Sequence, residues 1–118
     1  MTLMEAISKV DAQKHNTCAL LDKIGWLSQL DGLAGKLIAP AKGDFAGYDD
    51  ETPGDTELQI PAPFDEVYLY WLESKIDYLN GEISRFNNAN AMFEAAWQRF
   101  AAFAHRQDTG KKSNNQFH

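Results

Sequence analysis

The stretch 64–103, FDEVYLYWLESKIDYLNGEISRFNNANAMFEAAWQRFAAF, constrains the fold more than any other part of the chain. It holds no proline and ten of the fourteen aromatic residues. Apolar side chains fall at Leu72, Ile76, Leu79, Ile83, Phe86, Phe93, Trp97 and Phe100, with Asn90 as the one polar occupant of the row. Steps of four and three residues mark one face of an α-helix, whereas a strand would repeat every second residue. Val67, Tyr68, Trp71 and Tyr78 widen that face at its N-terminal end. The spacing predicts helix throughout, interrupted at one of two places. Asn80-Gly81 is a common turn pair, and Asn87-Asn88-Ala89-Asn90 is rich in capping residues. The unbroken register argues for collinear or gently kinked helix, read here as two helices separated near 87–90, with a helical hairpin that repeats the register by chance as the alternative.

An aromatic face this long must be covered, and a chain of 118 residues supplies one modest core. Upstream, Thr2 and Glu5 have capping-box spacing, and Leu3, Ile7 and Val10 share a face, predicting a short helix to about Lys14. A break at His15-Asn16-Thr17 precedes a second helix expected over 18–39, where Leu20, Ile24 and Leu27 adjoin Trp26, Leu30, Leu33 and Leu37. Gly25, Gly32 and Gly35 each cost such a helix about 1 kcal/mol relative to alanine unless they permit close packing. Pro40 ends it. The fold class is therefore all-α: a small helical bundle with two N-terminal helices, a long loop and an aromatic-rich helical segment. One helical domain spans residues 1–106, and residues 107–118, ending KKSNNQFH, read as a flexible tail.

The loop at 40–63 contains all four prolines and an acidic cluster: Asp44, Asp49, Asp50, Glu51, Asp55 and Glu57. Of seventeen acidic residues these six lie here, leaving eleven against eleven basic ones, so the net charge of −6 belongs to this loop. Phe45 and Tyr48 are large enough to anchor it, and 56–60 alternates like a short strand able to pair in a small hairpin or with another subunit. A surface without clustered Lys and Arg is not built to grip duplex DNA. Calcium is a poor fit, since the loop lacks the alternating ligands, glycine and terminal glutamate of an EF-hand.

Signals for chemistry are absent elsewhere. His15, His105 and His118 are scattered, and Cys18 has only His15 nearby, so no zinc set forms. Glu66, Glu73 and Asp77 share a helical face, but like charges one turn apart, with no orienting partners, read as a solvated face or as ion pairs to Arg85 or Arg99 of a neighbouring molecule. There is no phosphate-binding glycine loop and no nucleophile–base pair. Neither metal nor cofactor is expected, and the chain does not read as an enzyme. It has no run of eighteen apolar residues and no signal-like N-terminus, and its single cysteine suits a reducing compartment. Two short helices do not suffice to cover every aromatic, so Tyr68, Tyr70, Trp71, Tyr78, Arg85, Trp97 and Arg99 are the candidate subunit or partner interface.

Short motifs run through the same region: IGWLSQLDG at 24–32, GYD at 47–49, DTEL at 55–58, PAPFD at 61–65, YWLESKIDYLNGE at 70–82 and RFNNANAMF at 85–93. Together they resemble a family of small proteins encoded among the head genes of tailed phages and prophages, the head–tail connectors or adaptors. The resemblance covers about 24–106. It implies a mainly helical, non-enzymatic subunit, made in the bacterial host cytoplasm and carried in the virion. Such subunits form a ring that docks on the portal protein after DNA packaging and receives tail-side connector proteins. DNA would pass nearby without sequence-specific contact, and no membrane is involved. The alternative is a small acidic helical binding protein, a phage-encoded inhibitor or antitoxin-like module whose loop meets a basic partner. Portal, capsid and tail genes as neighbours favour the first; a toxin gene favours the second.

Overall fold

In a computed structural model of the chain, Thr2 caps the first helix as expected, its side chain accepting from the Glu5 N–H at 3.2 Å. The structure describes residues 1–40, 43 and 45–116, with side chains through 107. Four helices follow in order: α1 (Leu3–Gln13), α2 (Leu20–Ile38), α3 (Val67–Leu79) and α4 (Ile83–Gln116). The fold is all-α, and among the described residues the only β-pairing is an isolated antiparallel bridge between Thr2 and Glu57. α2 begins two residues later than the periodicity suggests. Asn16 spends its side-chain oxygen on the Cys18 N–H, 3.1 Å away, and Ala19 sits at the N-cap without a side-chain bond. α4 continues to Gln116, past the end expected near His105 and Arg106. Residues 107–116 are therefore helical in backbone where a tail was expected, and His118 lies outside the described residues.

The aromatic stretch breaks at Asn80-Gly81, not at 87–90. Asn80 leaves α3 in helical conformation and Gly81 takes φ +72°, a left-handed geometry that favours glycine. The Gly81 N–H bonds the Tyr78 carbonyl at 3.2 Å and the Glu82 N–H bonds the Asp77 carbonyl at 3.0 Å. These are the two bonds of a Schellman cap, which satisfies the carbonyls of the last turn and reverses the chain. α3 and α4 then pack side by side as a helical hairpin, the most extensive helix pair in the molecule. Asn87, Asn88 and Asn90 lie exposed on α4, while Ala89 turns inward.

This reversal changes which apolar residues form the core. Leu72 and Ile76 are fully buried, as is Phe100 across the hairpin, and Phe93 beside it is buried as well. Leu79 and Ile83, in the same sequence row, flank the turn and remain 59% and 62% exposed. Their place in the row is a coincidence of register across the turn. Leu3, Ile7 and Val10 of α1 and Ile24, Leu27, Leu30 and Ala34 of α2 complete the core.

The loop between α2 and α3 is stitched down instead of forming its own hairpin. The Leu3 and Met4 N–H groups donate to the carbonyls of Thr56 and Gly54, and the Leu58 N–H donates to the Met1 carbonyl. Leu58 and Ile60 are buried beneath. At Gly35 a Cβ would stand 3.0 Å from Gln59 Oε1, so this glycine permits the close approach of the loop to α2.

Candidate interaction surface

The polar centre of the molecule is Asp31, fully buried on α2. Its Oδ1 accepts from the Tyr68 hydroxyl at 2.5 Å, and its Oδ2 accepts from the Tyr48 hydroxyl at 2.5 Å and the Gln59 N–H at 3.1 Å. The Tyr68 hydroxyl in turn accepts from the Ile60 N–H at 2.7 Å, and Gln59 Nε2 donates to the Asp31 carbonyl. One carboxylate thus joins α2, two points along the loop and α3. Burial pushes the Asp31 carboxyl above its ordinary value, while hydrogen bonds from Tyr48, Tyr68 and the Gln59 amide oppose that rise. Burial and the neighbouring carboxylate drive both tyrosines well above the usual phenol range. They are neutral donors, and the cluster acts as an anchor.

A second interior pair ties α1 to α3. Lys14 Nζ donates to both carboxylate oxygens of Asp77, at 2.9 and 3.1 Å, and Asp77 is 1% exposed. Asp77 is therefore neither solvated nor directed to another molecule, as its helical face had suggested. Glu73 beside it is half-buried. Burial raises its carboxyl and Asp77 adds to the rise, with Lys14 opposing both. Replacing Lys14 by alanine leaves a buried carboxylate without its donor. Because a polar hollow lined by Asn16, Asn80 and Arg85 adjoins the pair and can admit water, the expected loss is about 2 kcal/mol, read from urea midpoints at constant slope.

The sequence-derived interface residues separate into three groups. Tyr68 is 0% exposed and does not reach the surface, because its hydroxyl is spent on Asp31. Tyr70, Trp71 and Trp97 are half-buried against the core. The Trp71 indole N–H donates to the Trp26 carbonyl at 2.7 Å, and its ring centre lies 4.9 Å from that of Phe93. Trp97 stands between Phe93 and Phe100. The hairpin covers its own aromatics, a solution that the two-helix count overlooked. Tyr78, Arg85 and Arg99 remain exposed.

Asp49, Asp50, Glu51, Asp55 and Glu57 are exposed as well, and Asp44 lies outside the described residues. The loop tip is ordered by its own bonds. Asp49 Oδ1 accepts from the Glu51 N–H at 2.9 Å, and Thr52 Oγ1 accepts from the Asp49 N–H at 2.9 Å. Apolar exposure that sequence reasoning missed lies at the hairpin turn, on Leu79 and Ile83, and along α2, on Leu33, Leu37 and Ile38. The last two line an apolar groove with Pro61, Phe100 and Phe103. Cys18 is half-buried, and His15 and His105 are exposed.

Among the described residues no group of three or more His, Cys, Asp or Glu is placed to hold a metal ion, and no helix is long and apolar enough to cross a membrane. Comparison with family models, curated proteins and solved structures finds no match of any of the three kinds.

Proposed function

We propose that this chain is a head–tail connector subunit of a tailed phage or prophage, a structural protein without a catalytic role. In this reading copies assemble into a ring on the portal, give tail-side proteins their attachment surface and reside in the virion, with DNA passing by unread. The motif set along 24–106 carries the reading.

The motifs coincide with fold determinants. IGWLSQLDG contains Asp31, GYD contains Tyr48, and YWLESKIDYLNGE contains Asp77 and the Gly81 reversal. Residues of the motif set thus hold this fold together, which suits a family whose members would share a scaffold for assembly. Exposed apolar side chains add support, above all Leu37 and Ile38 on α2, which border an apolar groove with Pro61 and Phe103, since grouped apolar surface on a small domain is commonly an interaction site.

Native mass spectrometry of the purified chain, alone and mixed with the portal protein of the same phage or prophage, tests the proposal. A ring, or a portal-bound multiple of the subunit, is expected. A chain that neither associates nor binds the portal over the micromolar range would sink the reading.

A further inference from the structure

On α4, Arg85, Met92, Arg99 and Arg106 recur every seven residues, and all four are exposed. A seven-residue step drifts only about 20° around a helix, so the four form one stripe about 32 Å long. Between 83 and 107 the sequence has three arginines and a single glutamate, Glu94. Arg85 contacts Glu82 at 3.3 Å through an exposed pair one turn away. No carboxylate among the described residues lies within ion-pair distance of Arg99 or Arg106. Beside the stripe, Ala91, Ala95 and Ala102 are exposed and small, so another chain can approach the helix backbone closely.

The complementary surface is on the same molecule but does not reach this stripe. Residues 45–63 hold five acidic side chains and no basic one. Asp49, Asp50, Glu51 and Asp55 are exposed at a tip already ordered by Thr52, by Ser28 through the Tyr48 N–H, and by the Asp31–Tyr48 bond. A pre-ordered tip loses little conformational freedom on docking.

From this charge complementarity we infer that the acidic loop of one copy docks on the arginine stripe of α4 of the next. The contact is head-to-tail, using two different surfaces of each copy, and such contacts close into rings when the rotation permits. It rests on the connector reading only for the expectation that copies associate. Exposed ion pairs are individually weak and are screened beyond about 10 Å at 0.1 M salt, so the association should depend on several pairs and on ionic strength.

The test is sedimentation velocity on the full chain at 50 and 500 mM NaCl, with two charge-reversal variants. One carries Arg99→Glu and Arg106→Glu; the other carries Asp49→Lys, Asp50→Lys and Glu51→Lys. The wild type should self-associate at low salt and weaken about tenfold or more at high salt. Each variant alone should stay monomeric, with circular dichroism confirming that it remains folded, and mixing the two should restore assembly. Monomeric wild type at low salt, assembly insensitive to either reversal, or a mixture that fails to reassemble would each overturn the inference. So would an arginine variant that still assembles but loses binding to a duplex DNA fragment, which would assign the stripe to phosphate. Portal binding measured in parallel separates this outcome from failure of the connector reading: a chain that binds portal without self-association refutes the loop–stripe contact alone.

Discussion

Asp31→Ala should lower stability by about 3–5 kcal/mol, because three buried or half-buried donors then point at nothing. The Tyr68 hydroxyl, the Tyr48 hydroxyl and the Gln59 N–H all converge on this carboxylate. Each orphaned buried donor costs about 1–3 kcal/mol, and Tyr48, half-buried, recovers part of its share from water. The loss should be accompanied by fast hydrogen exchange at the Gln59 and Ile60 amides, while amides of the α3–α4 hairpin stay protected.

Asp31→Asn is milder and isolates the charge. An amide can keep its oxygen toward Tyr48 and Gln59, leaving Tyr68 to accept from the new NH2 group. Because burial raises the folded-state Asp31 carboxyl above the ordinary aspartate range, the native state binds more protons than the unfolded state in the window just above that range. Stability contributed by Asp31 is therefore greatest at low pH and falls as pH rises through the window. The stability advantage of wild type over Asp31→Asn should shrink as pH rises through that window. An advantage that grows with pH would mean that the three hydrogen bonds outweigh burial.

Little in the sequence marks Asp31 as interior. Its partners Tyr48, Gln59 and Tyr68 lie 17, 28 and 37 residues away, and an aspartate beside a glycine reads locally as a solvated position. Helical character, by contrast, is local: the four-three spacing, the Thr2 cap and Pro40 identify α1 and α2 to within a residue or two of their ends, while the end of α4 at Gln116 has no such local signal. The hairpin falls between these cases. Asn80-Gly81 carries the turn signal in plain view, yet the apolar register runs on through Leu79, Ile83 and Phe86 as if one rod continued. Periodicity counts spacing along the chain and cannot register that Gly81 turns it back. The same limit explains the interface residues, because Tyr68 and Trp97 are surplus aromatics only if α3 and α4 do not cover each other.

Phe100→Ala and Tyr78→Ala offer the sharpest contrast within that hairpin. Phe100 is fully buried, with its ring centre 6.3 Å from that of Phe64 and 5.5 Å from that of Trp97. Truncation removes a ring from a site bounded by two other rings and by helix backbone, which can collapse only partly, so a loss of about 3–5 kcal/mol is expected. Tyr78 is 64% exposed and meets Phe86 edge-on at 5.5 Å on the outside of the turn. Its removal should change stability by less than about 0.5 kcal/mol, measured in the same denaturant titration. The two residues belong to one aromatic stretch and are equally prominent in the sequence, so the difference measures what the Gly81 reversal does. A large loss at Tyr78 in the isolated chain would mean that the turn region is core and that α3 and α4 are not folded back on each other. A small loss there, combined with weakened portal binding, would instead place the hairpin tip in the assembly contact.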